Sequence, residues 1–338
     1  MSRKSVRPLP AAVPAAAFDL ATFIQELSLR PKPLIQTLWG DSIVPHGGVA
    51  SLSSLVRLAE AFDINERLTR ISMFRLAKEE WFQSVRVGRL SFYRMSDEQV
   101  ARFQDFQPKV YEPLAQAWDG SWHLVLVSGE AIDEELRREL GWLGLGQLAP
   151  DLLICPGDRL SRLVHVLRYS ERLANVQILE AHALSALPTL YPELIRRAWK
   201  LDALAAAYGE FIERFRPALA WVVKSAESTS PRDAFSLRTL LAHEWRRLAL
   251  RDPKLPAPLM PPDWPGQAAF QLTRTLYQRL LGPSEHYLAS ILETPEGPVT
   301  APAFAALPRF GGLTWPSAGA DGGAGQSATE LHVSQDMM

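Results

Sequence analysis

Between residues 51 and 96 the hydrophobic positions first follow the period of a helix and then, after Trp81, the period of a strand. The pattern indicates two helices in succession, the second of them around residues 67–78. When its residues are placed at 100° intervals from Arg67, one side carries small or apolar side chains that suit packing on another helix. That side consists of Thr69, Ser72, Met73 and Leu76. The opposite side is cationic with two apolar groups among the charges, namely Arg67, Arg70, Ile71, Phe74, Arg75 and Lys78. The pattern predicts two packed helices, the second with an exposed basic face.

The segments on either side of this helix carry the residue types of a turn and a hairpin. Asn65 suits the N-cap of the second helix, and Asp63 tolerates a positive φ better than most residues other than glycine. Residues 82–86 and 90–95 predict two short strands joined by a turn at residues 87–89. Three arginines decorate this hairpin, namely Arg86, Arg89 and Arg94. We interpret residues 31–96 as a winged helix-turn-helix whose basic helix enters a major groove of double-stranded DNA.

The charges in this segment suit DNA by their chemistry. From Arg67 to Arg94 there are seven Lys or Arg and two Glu, so the segment has a net charge of +5 in a chain of −1. Guanidinium groups bind phosphates and guanine edges, and Ile71 and Phe74 can contact thymine methyls. The alternative interpretation is a solvated amphipathic helix beside a charged hairpin.

The first part of the chain predicts a leader and two further helices. Residues 1–30 are predicted as a disordered leader and a short helix at 18–29. Pro33 is expected to open the next helix, because proline is tolerated in a first turn, and Gly40 and Asp41 are expected to end it. Residues 41–48 are then a loop, and Ser51 is expected to cap the first helix of the pair.

The middle of the chain changes from helices to alternating strands and helices. After a polar connector at 97–117, helical around 97–103, strands are predicted at 122–127, 145–148, 152–155 and 176–181, and helices at 132–143 and 158–169. The order βαββαβ is that of a ferredoxin-like domain, which we assign to residues 118–186. The segment has no Gly-rich phosphate loop, so a nucleotide-binding α/β fold is disfavoured.

The last third of the chain is predicted to be helical. Candidate helices lie at 192–200, 204–215, 217–225, 231–250, 267–281 and 285–292. Residues 187–294 are assigned to a helical effector and dimerisation domain, and residues 295–338 to a largely disordered tail rich in Pro, Gly, Ala and Ser. The fold class is therefore α+β in three parts.

Several classes of chemistry are disfavoured by the residues present. Cys155 is the single cysteine, so neither an intrachain disulfide nor a thiolate zinc cluster can form. No apolar run approaches the roughly 20 residues of a transmembrane span, and we expect a cytoplasmic protein without membrane partners. His243 and Glu244 begin like a zincin helix, but Arg247 stands where the second histidine belongs. We therefore predict no catalytic residues, no metal, no cofactor and no enzyme.

Eight short motifs are spread over about residues 33–292. They are Leu38–Asp41, Glu66–Arg70, Arg75–Leu76, Gly88–Arg94, Ala198–Asp202, Leu240–Arg247, Arg251–Pro256 and Asp263–Gly266. In these motifs the sequence resembles the PaaX family of bacterial transcriptional repressors of phenylacetic acid degradation. The resemblance implies a homodimer that binds operator DNA and releases it on binding phenylacetyl-CoA. This chain departs from the family at Asp63 and Glu80, where glycine is usual, and at Ile71 and Phe74, where smaller or polar residues are usual.

An acyl-CoA effector would need cationic groups for its phosphates and an apolar slot for its acyl group. Two helical clusters of basic and aromatic residues are candidates for this site. The candidate effector residues are Arg196, Arg197, Trp199, Lys200, His243, Arg246, Arg247 and Arg251. The alternative is that these arginines pair with acids of their own domain, such as Asp202, Glu244 and Asp252, and that His243 is a hydrogen-bonded core or interface residue.

Two other functions stay open from the sequence. The middle domain of the resembled family is similar to small CRISPR-associated nucleases, which place an Asp at the end of the first strand. Here that region reads Val127–Ser128–Gly129–Glu130, so a metal-dependent nuclease is the weaker hypothesis. The other alternative is a DNA-binding regulator with no small-molecule effector.

Overall fold

The computed structural model describes residues 18–113, 118–127, 140–141, 143–169, 176–182, 191–225, 229–299 and 307–314. The N-terminal unit holds four α-helices, three strands and a long fifth helix that leads out of it. They are α1 (Leu20–Glu26), α2 (Pro31–Leu38), β1 (Val49–Ser51), α3 (Leu52–Ala59), α4 (Glu66–Lys78), β2 (Phe82–Val87), β3 (Leu90–Met95) and α5 (Asp97–Tyr111).

Local capping explains where α3 and α4 begin. The Ser51 hydroxyl accepts a hydrogen bond of 3.0 Å from the backbone N–H of Ser54. The Asn65 side chain accepts one of 3.0 Å from the N–H of Leu68. Between the helices Asp63 adopts a left-handed conformation with φ of 57°. These three predictions are confirmed, since each depends only on neighbouring residues.

Helix α2 ends at Leu38, close to the predicted stop at Gly40 and Asp41, but the chain after it does not become a loop. The helix begins at Pro31 rather than Pro33 and passes into a π-helical turn, Trp39–Ile43, and a 3₁₀ turn, Val44–His46. Asp41 is 3% exposed, and its carboxylate accepts hydrogen bonds from side chains far away in the chain. These tertiary bonds hold a helical backbone that the local sequence disfavours. The predicted loop at 41–48 therefore consists mostly of helical turns.

The hairpin belongs to a three-stranded antiparallel sheet in the order β1-β3-β2. Its third strand, β1, was not predicted because it has only three residues and pairs with residues 92–94. The hairpin turn comprises Gly88 and Arg89, one residue fewer than predicted. The connector helix α5 is also longer than predicted and contains Pro108.

The middle unit is an antiparallel sheet of four strands at the predicted places. They are β4 (Ser121–Val127), β5 (Gly146–Ala149), β6 (Leu152–Pro156) and β7 (Val176–His182), in the spatial order β5-β6-β4-β7. A 3₁₀ turn, Gly157–Arg159, leads into helix α6 (Leu160–Tyr169). The predicted helix at 132–143 lies almost entirely outside the described residues. One side of the sheet packs around Val125, Cys155 and Leu163, while Trp122 and Ile154 face the C-terminal unit.

The C-terminal unit is built on long helices, as predicted. They are α7 (Tyr191–Ala198), α8 (Leu201–Lys224), α9 (Pro231–Ala249) and α10 (Gly266–Ala289), followed by the short strands β8 (Glu293–Thr294) and β9 (Gly297–Pro298). The predicted breaks before Pro217 and between residues 281 and 285 are wrong, because α8 and α10 continue through Pro217 and Pro283. Phe215 and Ala218 are both fully buried beside Pro217, so core packing holds the helix on both sides of the proline.

The N- and C-terminal units share one hydrophobic core. Helix α9 is buried along most of its length, and the Phe235 ring lies 5.9 Å from that of Phe62 in the N-terminal unit. Residues 307–314 also join this core, although they fall in the range predicted as a disordered tail. There the buried Arg309 donates to the Asp41 carboxylate at 3.0 Å and to the Tyr277 hydroxyl at 2.7 Å. The prediction of disorder is therefore wrong for this segment.

Burial sets the ionisation of the groups around Asp41. It raises the pKa of Tyr277 to about 12, so the hydroxyl keeps its proton and donates to the Asp41 carboxylate at 3.0 Å. Burial alone would raise the pKa of Glu285, but Arg238 and His46 lower it to about 2. Arg238 and His46 thus keep the Glu285 carboxylate ionised in the shared core. Within the described residues, no helix is both long and apolar enough to cross a membrane.

Candidate nucleic-acid interface

Helix α4 presents the basic face that the sequence predicted. Thr69, Met73 and Leu76 are at most 1% exposed and turn inward, as does Ser72. The residues predicted for DNA contact, all of them exposed, are Arg67, Arg70, Ile71, Phe74, Arg75 and Lys78. The helical period is therefore confirmed, while contact with DNA stays a prediction.

The exposed apolar groups on this helix are unusually large. The Phe74 side chain is 71% exposed, and Ile71 and Leu68 are 38% and 43% exposed. Sequence reasoning missed Leu68, which lies in the first turn of α4. Exposed aromatic side chains cost solubility without a partner, and apolar groups on a recognition helix can contact thymine methyls. The exposure of Phe74 therefore supports an interface on this face.

One of the predicted cations is already paired. Arg70 forms an ion pair of 2.7 Å with Glu66 one turn earlier, and both side chains are more than half exposed. Such an exposed pair contributes little to stability, about 0.3–0.5 kcal/mol. The Arg70 guanidinium can therefore exchange its carboxylate partner for a phosphate or a base edge at small cost.

The three hairpin arginines do not lie at equivalent places. Arg86 and Arg89 lie in the distal half of the hairpin and are exposed. Arg94 lies at its base, opposite Val49 of β1, and bonds to Gln83 at 2.7 Å and to Asp97 at 3.1 Å. Arg94 thus braces the start of α5 against the hairpin. Of the three, Arg86 and Arg89 are the better placed to reach DNA.

The distal hairpin also has an exposed apolar strip that the sequence reading did not single out. Val85, Val87 and Leu90 are 44–49% exposed, and Val87 is paired directly with Leu90 across the two strands. Paired residues of an antiparallel sheet share a face. The strip continues outward from Phe92, which is buried.

The first predicted effector cluster lies against the middle unit. The Trp199 indole donates a hydrogen bond of 2.9 Å to the carbonyl of Gly144, and its ring covers Gly146 so closely that a Cβ there would lie 2.6 Å from it. Arg196 pairs with Asp202 at 3.4 Å, which matches the alternative that these cations serve their own domain. Arg197 and Lys200 are exposed.

The second predicted cluster lies against the N-terminal unit and helix α5. His243 forms a hydrogen bond of 2.9 Å with the Thr37 hydroxyl. Burial, and to a lesser degree the charges of Arg246 and Arg247, lowers the pKa of His243 to about 4. Arg247 pairs with Glu244 at 3.0 Å. Arg251 is exposed. The first cluster therefore packs on the middle unit and the second on the N-terminal unit. His243 is a hydrogen-bonded residue between α9 and α2, as the alternative interpretation expected.

Arg246 is the member of this cluster with the most unusual surroundings. Burial lowers the pKa of its guanidinium, and its Nε is buried without a hydrogen-bond partner among the described residues. Arg246 lines a cavity of about 140 Å³ between α2, the base of the hairpin together with the following helix α5, and α9. The cavity joins three segments that are distant in sequence, so no local pattern could have shown it.

Comparison with known proteins gives three family-model matches. The model described as PaaX-like protein matches residues 30–99, that of the PaaX protein central Cas2-like domain matches 115–189, and that of the PaaX-like protein C-terminal domain matches 199–290. The protein named transcriptional repressor PaaX, from Escherichia coli (strain K12), is 35% identical over 301 residues, which are 87% of this chain and 95% of the relative. The chain belongs to the PaaX family.

The PaaX matches fall on the units described above. The first contains α4 and the hairpin, the Cas2-like match contains the four-stranded sheet, and the C-terminal match contains α8 to α10. A solved structure described as uncharacterized protein Rv0674 from Mycobacterium tuberculosis is 24% identical and covers 72% of this chain and 96% of its own, with a TM-score of 0.47. The family matches and the elements described above give a chain of mixed helix and strand, with a Cas2-like central domain and a helical C-terminal region.

Proposed function

We propose that this member of the PaaX family is a cytoplasmic, DNA-binding transcriptional repressor and not an enzyme. The N-terminal unit acts as a winged helix-turn-helix, with α4 as the recognition helix and the β2–β3 hairpin as the wing. The observation that carries the proposal is the exposed basic and aromatic face of α4, set on a helix whose other side is buried. The 35% identical relative that bears the name of a repressor supports it.

In this proposal the cations of the interface divide their tasks. Arg70, Arg75 and Phe74 lie on the outer face of α4 and contact base edges and phosphates of the major groove. Arg86 and Arg89 contact the backbone or the minor groove from the wing. The chain acts as a homodimer on a two-fold operator, because two copies of one recognition helix match two half-sites about one helical turn apart.

Membership of the PaaX family supports a proposal about the regulated genes and the effector. We propose that the chain represses genes of phenylacetic acid catabolism and that phenylacetyl-CoA, or a related aryl-acyl-CoA, releases it from the operator. For release, the effector must bind the DNA-free arrangement more tightly, and a 100-fold difference corresponds to about 2.7 kcal/mol of coupling. The middle unit, as a ferredoxin-like domain, is structural in this proposal.

A mobility-shift assay tests the proposal. Full-length protein is titrated onto DNA from its own promoter region and onto random DNA, with phenylacetyl-CoA or free phenylacetate added. We expect specific binding that only the thioester relieves. Specific binding that neither compound changes would favour a regulator without a small-molecule effector. Equal affinity for promoter and random DNA would overturn the proposal of a repressor. Cleavage of either DNA with Mg²⁺ or Mn²⁺ would revive the nuclease hypothesis.

Arg70→Ala separates base reading from phosphate contact. If Arg70 reads a base, we expect the variant to lose about 1–3 kcal/mol of operator affinity and to discriminate less between operator and random DNA. The matched control is Arg216→Ala, which removes an exposed arginine paired with Glu213 on α8, outside the N-terminal unit. An unchanged ratio of the two affinities in Arg70→Ala would exclude a base contact by this residue.

A further inference from the structure

A small cavity lies where the N-terminal unit, helix α5 and helix α9 meet. Its volume is about 140 Å³. Most of its wall is aromatic or aliphatic, formed by Trp81, Met95, Phe103, Phe106, Val110 and Leu250. An apolar cavity of about 150 Å³ is large enough to take up benzene. The space and its lining therefore suit one flat aromatic ring.

Two polar side chains in the wall have unmet hydrogen-bonding capacity. The Nε of Arg246 and the Oε1 of Gln99 are both buried, and neither has a partner among the described residues. Arg246 makes no ion pair in the described part of the chain, although burial makes its charged form costly. The Arg246 guanidinium, whose buried Nε lacks an acceptor, is stabilised by an oxygen acceptor, and most strongly by a carboxylate or a polarised carbonyl.

The wall is rigid on the side of α5. The Trp245 indole donates a hydrogen bond of 2.7 Å to the Val110 carbonyl, and the Tyr111 hydroxyl donates one of 2.9 Å to Asp41. The Phe103 ring fits so closely against Gly40 that a Cβ there would lie 2.4 Å from it. The cavity is thus part of a well-packed junction rather than a gap left by a loose loop.

We propose that this cavity is the seat of a small aromatic acyl group, whose ring lies among the aromatic wall residues and whose carbonyl oxygen accepts a hydrogen bond from Arg246. The inference rests on the proposed function for its biological meaning, since it assigns the effector's acyl group to named residues. The remainder of a thioester exceeds the cavity and lies outside it. Arg102, which is exposed and also lines the cavity, is placed to meet negative charge there.

The position of the cavity explains how binding of such a ligand can affect the proposed DNA-binding surface. Trp81 and Met95 lie at the two ends of the hairpin, immediately before β2 and at the end of β3. The Trp81 carbonyl accepts a hydrogen bond of 3.1 Å from the N–H of Ser96, which starts α5. A ring held among these residues changes the packing between the wing and α5, and a ligand that binds two arrangements unequally shifts their populations.

The test measures binding of three probes to the full-length protein by calorimetry. The probes are phenylacetyl-CoA, free phenylacetate and CoA without an acyl group, which separate the ring from the nucleotide. Wild-type protein is compared with Leu250→Phe, which fills the cavity, with Arg246→Gln, which removes the donor's charge, and with Arg274→Gln as the control. Arg274 is an exposed arginine that lines a different groove on α10.

We expect Leu250→Phe and Arg246→Gln each to weaken binding of the aromatic probe by about tenfold or more, because one fills the space and the other removes a charge-assisted bond. Arg274→Gln should bind as the wild type does. CoA alone should bind both the wild type and the cavity variants equally weakly. Wild-type affinity for the aromatic probe in both cavity variants, or no aromatic probe bound by the wild type, would overturn the proposal.

A second measurement covers the case in which a variant fails to fold. Trp81 lines the cavity, so binding of an aromatic acyl group should change its fluorescence, and Trp81→Phe should lose that part of the change while keeping helical circular dichroism. An unaltered fluorescence response in Trp81→Phe would contradict the site. Operator binding is assayed separately on the same samples. Ligand binding at the cavity without operator binding would refute the repressor and leave the site standing.

Discussion

The Nη1 of Arg238 and the Oε1 of Glu285 are 2.6 Å apart, with the two side chains only 0% and 4% exposed. The other oxygen of Glu285 lies 2.8 Å from Nε2 of His46, and the Arg238 guanidinium also bonds to Ser42 at 3.1 Å. A pair between α9 and α10 is thereby joined to the π- and 3₁₀-helical turns of the N-terminal unit. The N-terminal unit and the C-terminal helices are held together by charges as well as by apolar packing.

Arg238→Met should destabilise the protein by about 3–5 kcal/mol, because it leaves the buried Glu285 carboxylate without its arginine. The measurement is urea unfolding followed by circular dichroism at neutral pH. Arg216→Met is the matched control, since its ion pair is exposed and such pairs contribute at most about 1 kcal/mol. Equal stability of the two variants would mean that the buried network is not needed for the fold.

His243 should make stability depend on pH below neutrality. Its pKa falls from an ordinary 6.5 to about 4 in the folded protein, so the unfolded chain takes up a proton first as the pH drops. Stability is then highest above pH 6.5 and declines by about 3 kcal/mol between pH 6.5 and 4. Urea unfolding at a series of pH values measures the decline.

His243→Gln should remove most of this pH dependence, because no imidazole remains to take up a proton. His286→Gln, at an exposed position near the end of α10, is the control and should retain the wild-type dependence. A parallel loss of stability with pH in wild type and His243→Gln would assign the effect to other groups.

Phe74→Ser should weaken operator binding by about tenfold without lowering the melting temperature. The side chain is 71% exposed in the free protein, so its removal costs little folding energy, whereas covering it with DNA releases apolar surface from water. Fluorescence anisotropy with labelled operator DNA measures the affinity. Val223→Ser, which removes an apolar group 49% exposed on α8, should bind DNA as the wild type does. Full operator affinity in Phe74→Ser would place DNA elsewhere.

Arg89→Ala should lower the salt dependence of DNA binding. If the tip of the wing neutralises one phosphate, the slope of log K against log salt should fall by about 0.9, and by the same amount on operator and random DNA. Anisotropy titrations at several salt concentrations give the slope. Arg94→Ala makes an informative comparison, since Arg94 is engaged by Gln83 and Asp97 at the base of the hairpin. An identical slope in Arg89→Ala and wild type would remove the wing tip from the interface.

The parts of the fold that depend on short-range pattern could be predicted. The buried and exposed sides of α4, the caps at Ser51 and Asn65, and the positive φ of Asp63 each follow from residues within one or two turns. The four strands of the middle sheet follow from local alternation in the same way. The basic face of the candidate interface was therefore visible in the sequence because one helix supplies all of it.

The parts that depend on distant partners could not be predicted. Asp41 follows Gly40, and this pair locally disfavours a helix. Asp41 is nevertheless held in a π-helical turn by hydrogen bonds from Tyr111, Tyr277 and Arg309, which lie 70 to 268 residues away. Pro217 lies inside a helix because the packing around it outweighs its local preference. The cavity beside Arg246 needs walls from three separate segments. In each case contacts between residues distant in the sequence determine the local structure.

The bond between Asp41 and Arg309 has a consequence for how the protein comes into being. The Asp41 carboxylate is translated 268 residues before the guanidinium that satisfies it, and Arg238 also comes long after it. A nascent chain that has completed only its N-terminal third holds this carboxylate without either cation, so the junction around Asp41 stays incomplete. The N-terminal unit therefore reaches its final packing only after residue 309 has been synthesised.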